Sequence, residues 1–151
     1  MEQLKNSESY SRAVGRFAGS LKLADVPANV IAKAKLVCLD TLGVALASST
    51  MDFGAMVTNV ARRLGGDKRS VVIGSADRVA AANAVIANGT LAHGLDYDDT
   101  LEEAIVHTGS CSWMTALAVG EEVGASGAAA DAKASCAQPA RNSRLRCRHS
   151  R

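Results

Sequence analysis

The stretch from Asn88 to Thr100, NGTLAHGLDYDDT, sets His93, Asp96, Asp98, Asp99 and Thr100 directly after an apolar run. A further histidine, His107, follows seven residues after Thr100. Carboxylates beside imidazoles and a hydroxyl suit three kinds of chemistry: holding a divalent cation, carrying a phosphoryl group, or moving protons on an acidic substrate. At about 100° per residue, Val85, Gly89, His93, Asp96 and Thr100 fall within an arc of roughly 80°, with Leu91 and Leu95 opposite. This spacing predicts a helix that starts near Arg78 and continues to Thr100, carrying a polar stripe along one face. Gly89 in the stripe leaves room for a close approach to the backbone. The plainer alternative is a capping and salt-bridge cluster at a helix end.

Two of the three chemistries fail on detail. Asp96, Asp98 and Thr100 match positions 1, 3 and 5 of a calcium-binding EF-hand loop, but Leu101 stands where glycine is needed and His107 where glutamate is needed. DYDDT also fits the DxDxT nucleophile motif of haloacid-dehalogenase-like phosphatases. That motif needs a hydrophobic strand before it, and the residues NGTLAHGL have helical spacing instead. Proton transfer beside carboxylates remains.

The elements that must position these groups are mostly helices. Ser11 to Leu23 carries Val14, Phe17, Ala18 and Leu21 on one side. Asp25 and Pro27 mark the start of a second helix, over Ala28 to Ser48, with Asp25 as its cap. Beyond Asp40 that helix is apolar on every side, which predicts a buried second half. Gly43 inside it costs about 1 kcal/mol of helix propensity, a cost that a close helix crossing would explain. A third helix covers Phe53 to Leu64 and ends at Gly65-Gly66. SVVIG, Ser70 to Gly74, is the strand candidate, and Asp77 is placed to cap the fourth helix. A last helix covers Ser112 to Val123, with Trp113 in the core. The fold class is mostly α with one short extended segment.

Composition narrows the function classes. The chain has 151 residues, 48% of them hydrophobic, 3% aromatic and 21% charged, and a net charge of +2. That length suits one domain, and scarce aromatics leave a core of Ala, Val, Leu and Ile. The small charge argues against nucleic-acid and membrane partners. Glu2, Lys5, Glu8, Arg12 and Arg16 interrupt any secretory apolar run. Cys38, Cys111, Cys136 and Cys147 have no metal-finger or CxxC spacing, so reduced thiols and a cytoplasmic location are expected.

NGTLAHGLDYDDT followed by His107 resembles the MmgE/PrpD family, as does LDTLGVALASS from Leu39 to Ser49. The order of blocks also fits: the LDTLG helix, a variable helix, VVIGS, then AAANAVIANGTLAHGLDYDDT. The resemblance covers residues 11–127. The family includes 2-methylcitrate dehydratase, cis-aconitate decarboxylase and iminodisuccinate epimerase. It implies an all-helical domain paired with a smaller lid domain in a homodimer, small polycarboxylate substrates, and neither a metal nor another cofactor. By motif, Asp96 and His107 carry over as catalytic residues and Thr100 as a substrate-binding residue. His93 is expected to be a buried helix histidine that supports substrate binding from behind, and Asp98 and Asp99 capping or salt-bridge residues. Thr108-Gly109-Ser110 after His107 departs from the Pro or Ser common in the family.

The chain changes character after Gly127. Residues 128–151 hold one leucine, no Val, Ile, Phe, Tyr or Trp, and five arginines from Arg141 onward. Such a segment is expected to be disordered, the product of a shifted frame or truncated gene, dividing the chain into residues 1–127 and a basic tail at 128–151. The chain then reads as an inactive fragment of a lyase, whose apolar faces around Ala45, Leu91 and Trp113 lose part of their cover. The alternative is a non-catalytic helical interaction domain whose tail binds an anionic partner. Cys136, Cys147 and His149 offer too few ligands for a metal site.

Overall fold

The computed structural model describes residues 9–102 and 104–127; the tail at 128–151, with its cysteines, His149 and arginines, lies outside the described residues. Five helices and one small hairpin make up the described part, in the order α1 (Tyr10–Ser20), α2 (Ala28–Ser49), α3 (Asp52–Arg63), β1 (Ser70–Val71), β2 (Arg78–Val79), α4 (Ala81–His93) and α5 (Thr108–Val123). A single 3-10 turn, Leu23–Asp25, joins α1 to α2. Among the described residues no helix is long and apolar enough to cross a membrane.

The centre of the fold is α4, which packs against α5, α2, α3 and both strands. Its buried face is built from Ala81, Ala84, Ala87, Asn88, Leu91 and Ala92. Four of the six are alanines, so neighbouring helices can approach closely. Trp113 and Met114 of α5 fill the space beside Leu91 in the same core. From α2 come Ala34, Val37, Thr41, Ala45 and Ser48 at helical spacing. The Thr41 hydroxyl donates to Val37 O at 2.7 Å, which satisfies it inside the core.

The hairpin is tied in by polar bonds. Asn88 on α4 is buried, and its amide grips β1 from both sides. Its Nδ2 donates to Val71 O at 2.9 Å, and its Oδ1 accepts from Ile73 N at 2.9 Å. From the other direction, the Ser70 hydroxyl donates to Ala118 O at 2.6 Å and Val71 N donates to Glu121 Oε2 at 2.7 Å. Strands of two residues have little ladder of their own, and these side chains take its place.

Several expectations change here. SVVIG shortens to Ser70–Val71, and it pairs antiparallel with a second strand that the sequence did not suggest. Arg78 belongs to that strand, so α4 begins at Ala81, and Asp77 pairs with Arg62 instead of capping the helix. Pro27, not Asp25, is the N-cap of α2. Gly43 is exposed, and a side chain there would meet nothing, so no helix crossing explains it. The second half of α2 is buried on one face only: Leu39 and Leu46 lie on the surface, with Leu36 before them. Ala45, Leu91 and Trp113 are fully covered. The uncovered apolar surface lies elsewhere, at those leucines and at Met56, Val60 and Ile86.

The Asn88 clamp is testable. Asn88→Leu keeps the volume but strands the Ile73 N–H and the Val71 carbonyl. Each buried group left unsatisfied costs about 1–3 kcal/mol. A denaturant titration is expected to show a loss of that order or more, and an unchanged midpoint would mean that the hairpin is held by other means.

Candidate functional site

The polar residues of the opening stretch meet at the point where the chain leaves α4 and returns to start α5. The helix stops at His93, with Gly94 as its C-cap, so the expected continuation to Thr100 is not formed. Two features mark the exit. A Cβ at Gly94 would collide with the ring of Phe53, so a residue with a side chain does not fit there. Asp96 then adopts φ +51°, a left-handed corner that aspartate tolerates better than most residues. The chain folds back through a bridge in which Leu101 N donates to Val106 O at 2.9 Å. That return brings His107 back beside His93, with ring centroids 4.7 Å apart.

Asp98 lies between the two rings. His93 Nδ1 is 3.1 Å from its Oδ1 and 3.3 Å from its Oδ2. His107 Nδ1 is also 3.1 Å from Oδ1. This second contact lacks hydrogen-bond geometry, and Nδ1 is a buried atom without a hydrogen-bond partner. Asp96 approaches from outside, with its Oδ1 3.8 Å from His107 Nε2. The Asp98 side chain is wholly buried, at 0% exposure, whereas His107 is 26%, His93 52% and Asp96 84% exposed. The cluster therefore has a buried anionic base and an open rim. Ligand atoms of His93, Asp96, Asp98 and His107 all lie within 4.8 Å of one another.

The electrostatics follow from that layout. Burial works to raise the Asp98 carboxyl, but hydrogen bonds from His93, Ser110 and its own backbone, with the nearby His93 charge, outweigh it. The carboxyl is held below its ordinary value. The Ser110 hydroxyl has one hydrogen to share between Asp98 and His107 O, which lies 3.3 Å away.

Asp99 does a different job. Its Oδ1 accepts from Gly109 N at 2.8 Å and its Oδ2 from the Thr108 hydroxyl at 2.9 Å. Both donors lie in the first turn of α5, whose N-cap is His107, so Asp99 ties down the helix that carries the histidine. Gly109 is needed for this contact, because a Cβ there would overlap Asp99 Oδ1 and crowd Thr41 Oγ1.

The sequence-derived candidates are therefore partly gathered. Asp96 and His107 come together. His93 joins them, but on the exposed rim and not buried as expected. Thr100 is exposed, and it no longer shares a helical face with His93. Gly89 opens no special space, since a Cβ there would make only an ordinary contact with Ser110 O at 3.9 Å. Cys111 is exposed on the first turns of α5. Asp98 is the member that sequence reasoning set aside. Its burial follows the left-handed turn at Asp96, for which the sequence carries no local signal.

A small-residue helical core bearing a cluster of two histidines and two carboxylates defines the class: a mostly helical domain. The chain matches the MmgE/PrpD N-terminal domain over residues 12–135, and it belongs to that family. No curated protein matches it.

The lowered Asp98 carboxyl has a pH consequence. In the unfolded chain this group titrates near the ordinary aspartate value of about 3.9, and in the fold it titrates lower. Its contribution to stability is therefore complete above the unfolded value, and is lost as pH falls from there through the folded value. Chemical denaturation midpoints measured between neutral pH and strong acid are expected to fall in that acidic window, and Asp98→Asn is expected to flatten this part of the curve. Identical slopes in the two proteins would remove Asp98 as the source.

Proposed function

We propose that the chain is part of an MmgE/PrpD-type lyase. It acts on a small polycarboxylate by proton abstraction and elimination, in the manner of a 2-methylcitrate dehydratase. The observation that carries this reading is the wholly buried Asp98 carboxylate 3.1 Å from a ring nitrogen of each of two histidines. A buried anion beside an imidazole orients the ring and stabilises its protonated form, as a general base requires when it takes a proton. His107 is the base in this scheme. Histidine titrates near neutrality and serves either direction of proton transfer. Asp96, 3.8 Å from His107 Nε2, relays or receives the proton at the rim. Thr100 and His93 supply hydrogen bonds to a substrate carboxylate.

The same geometry names what the cluster lacks for this chemistry. Asp96 and Asp98 lie within it and Asp99 directly behind, so its fixed charges are anionic. A substrate with several carboxylates needs cations to bind, and the enolate-like charge formed on proton loss needs them again. In this proposal those cations come from the lid domain and homodimer that the family implies. The 151-residue chain alone is then inactive.

Two measurements test the reading. In a longer family protein carrying this segment with its lid domain, His107→Ala is expected to lower turnover by on the order of 100-fold or more. Its thermal midpoint is expected to fall to a smaller degree, since the ring is partly buried beside Asp98 but lies outside the helical core. Turnover equal to that of the parent would exclude His107 as the base. The chain itself, assayed with 2-methylcitrate for unsaturated-acid absorbance, is expected to show none. An ordinary rate of roughly 1 per second or faster would mean that the necessary cations are already present within it.

A further inference from the structure

We infer that the chain pairs with a second copy of itself through the outward face of α2, the two helices running parallel and in register. The inference names a surface and a register, which the family resemblance does not supply, and it holds or fails independently of the lyase reading.

The core takes one side of α2, through Ala34, Val37, Thr41, Val44, Ala45 and Ser48. At about 100° per residue, Ala32, Leu36, Leu39, Gly43 and Leu46 fall on the opposite side, within an arc of roughly 80°. All five are exposed, the leucines at 62%, 69% and 53%. A contiguous apolar stripe of this kind on a well-packed helix marks a contact surface. From Ala32 to Leu46 the steps are four, three, four and three residues, the spacing of a heptad seam along which two helices meet. Gly43 lies within that seam. No helix of the same chain meets it, since a Cβ there would find nothing within 4 Å. Between two copies the bare backbone at Gly43 permits a close approach, which accounts for a residue that lowers helix propensity.

The flanking charges select the occupant. Lys35 lies on one border of the seam and Asp40 on the other. Both are exposed, and among the described residues neither has an ion-pair partner. In a parallel two-stranded seam each border residue faces the one five places further along the other helix. Lys35 then meets the partner's Asp40, and the two-fold axis makes that contact twice. The three leucines and Gly43 meet their own counterparts. Antiparallel packing serves the same residues less well. The register that sets Leu36 on Leu46 puts Asp40 beside Asp40, and the register that brings Lys33 to Asp40 sets Leu46 on Asn29. The seam from Ala32 to Thr50 is about 27 Å long. Two such seams bury on the order of 1,000 Å² in total, the low end for a specific interface.

The test is sedimentation equilibrium of the full 151-residue chain, with its cysteines kept reduced, between about 1 and 100 μM. We expect a monomer–dimer equilibrium within that range. Leu39→Lys and Leu46→Lys place a charge in the seam and touch no core residue. Helicity by circular dichroism is expected to be kept while dimerisation weakens by about a hundredfold or more. Lys35→Glu and Asp40→Lys are each expected to weaken it about tenfold at low salt. The double variant exchanges the two charges and is expected to recover the affinity of the parent. A monomer at every concentration would overturn the inference. So would an assembly that both seam lysines leave intact, or a dimer that Lys35→Glu does not weaken. A double charge variant no tighter than the single ones would exclude the parallel register, and the inference with it. Should a lysine variant lose helicity, Leu39→Gln and Leu46→Gln carry the same comparison.

Discussion

A carboxylate buried between two imidazoles is the contact on which the rest of the site depends. Asp98 is fully enclosed, and an anion so placed must be met by donors or it forces the loop open. His93 meets it with a hydrogen bond from the end of α4, Ser110 adds another, and His107 faces it at 3.1 Å from the start of α5. The contact therefore fastens the C-terminus of α4 to the N-terminus of α5 across fourteen residues of returning chain. Without the pairing, Asp98 would move to solvent and the two histidines would have no reason to face each other.

That fastening works only because the helices beneath it are set first. Alanines along α4 let α5 and α2 come close, and Trp113 and Met114 lock the spacing. Asn88 then uses one amide to hold a hairpin too short to hold itself. At Gly94 and Gly109 the backbone passes another group too closely for a Cβ, one against Phe53 and one against Asp99. Each lies beside a site histidine, so the loop path and the ring positions are fixed by the same close approaches. The left-handed Asp96 and the left-handed Ile105 both lie on that loop. Ile105 is β-branched, and such a conformation costs it on the order of 1–3 kcal/mol. Strain of that kind persists only where the surroundings hold it in place.

The sequence by itself determined the helical class, the presence and order of the five helices, and the MmgE/PrpD membership. Periodicity of 3.6, Gly and Pro punctuation and the LDTLGVALASS and NGTLAHGLDYDDT blocks are local patterns that survive without contacts. Motif order also singled out Asp96 and His107, which the fold sets 3.8 Å apart, and Asp99 as a capping or salt-bridge residue, which bonds the first turn of α5. What it missed depended on distant partners. The end of α4 at His93 and the pairing of Arg78–Val79 with Ser70–Val71 depend on chain that no local pattern announces. The outward face of α2, with Leu36, Leu39 and Leu46, was decided by which neighbours were there to cover it. Asp98 became the centre of the site only because the chain turned at Asp96 and came back. Spacing along a helix wheel cannot show such a turn, since it assumes the helix continues.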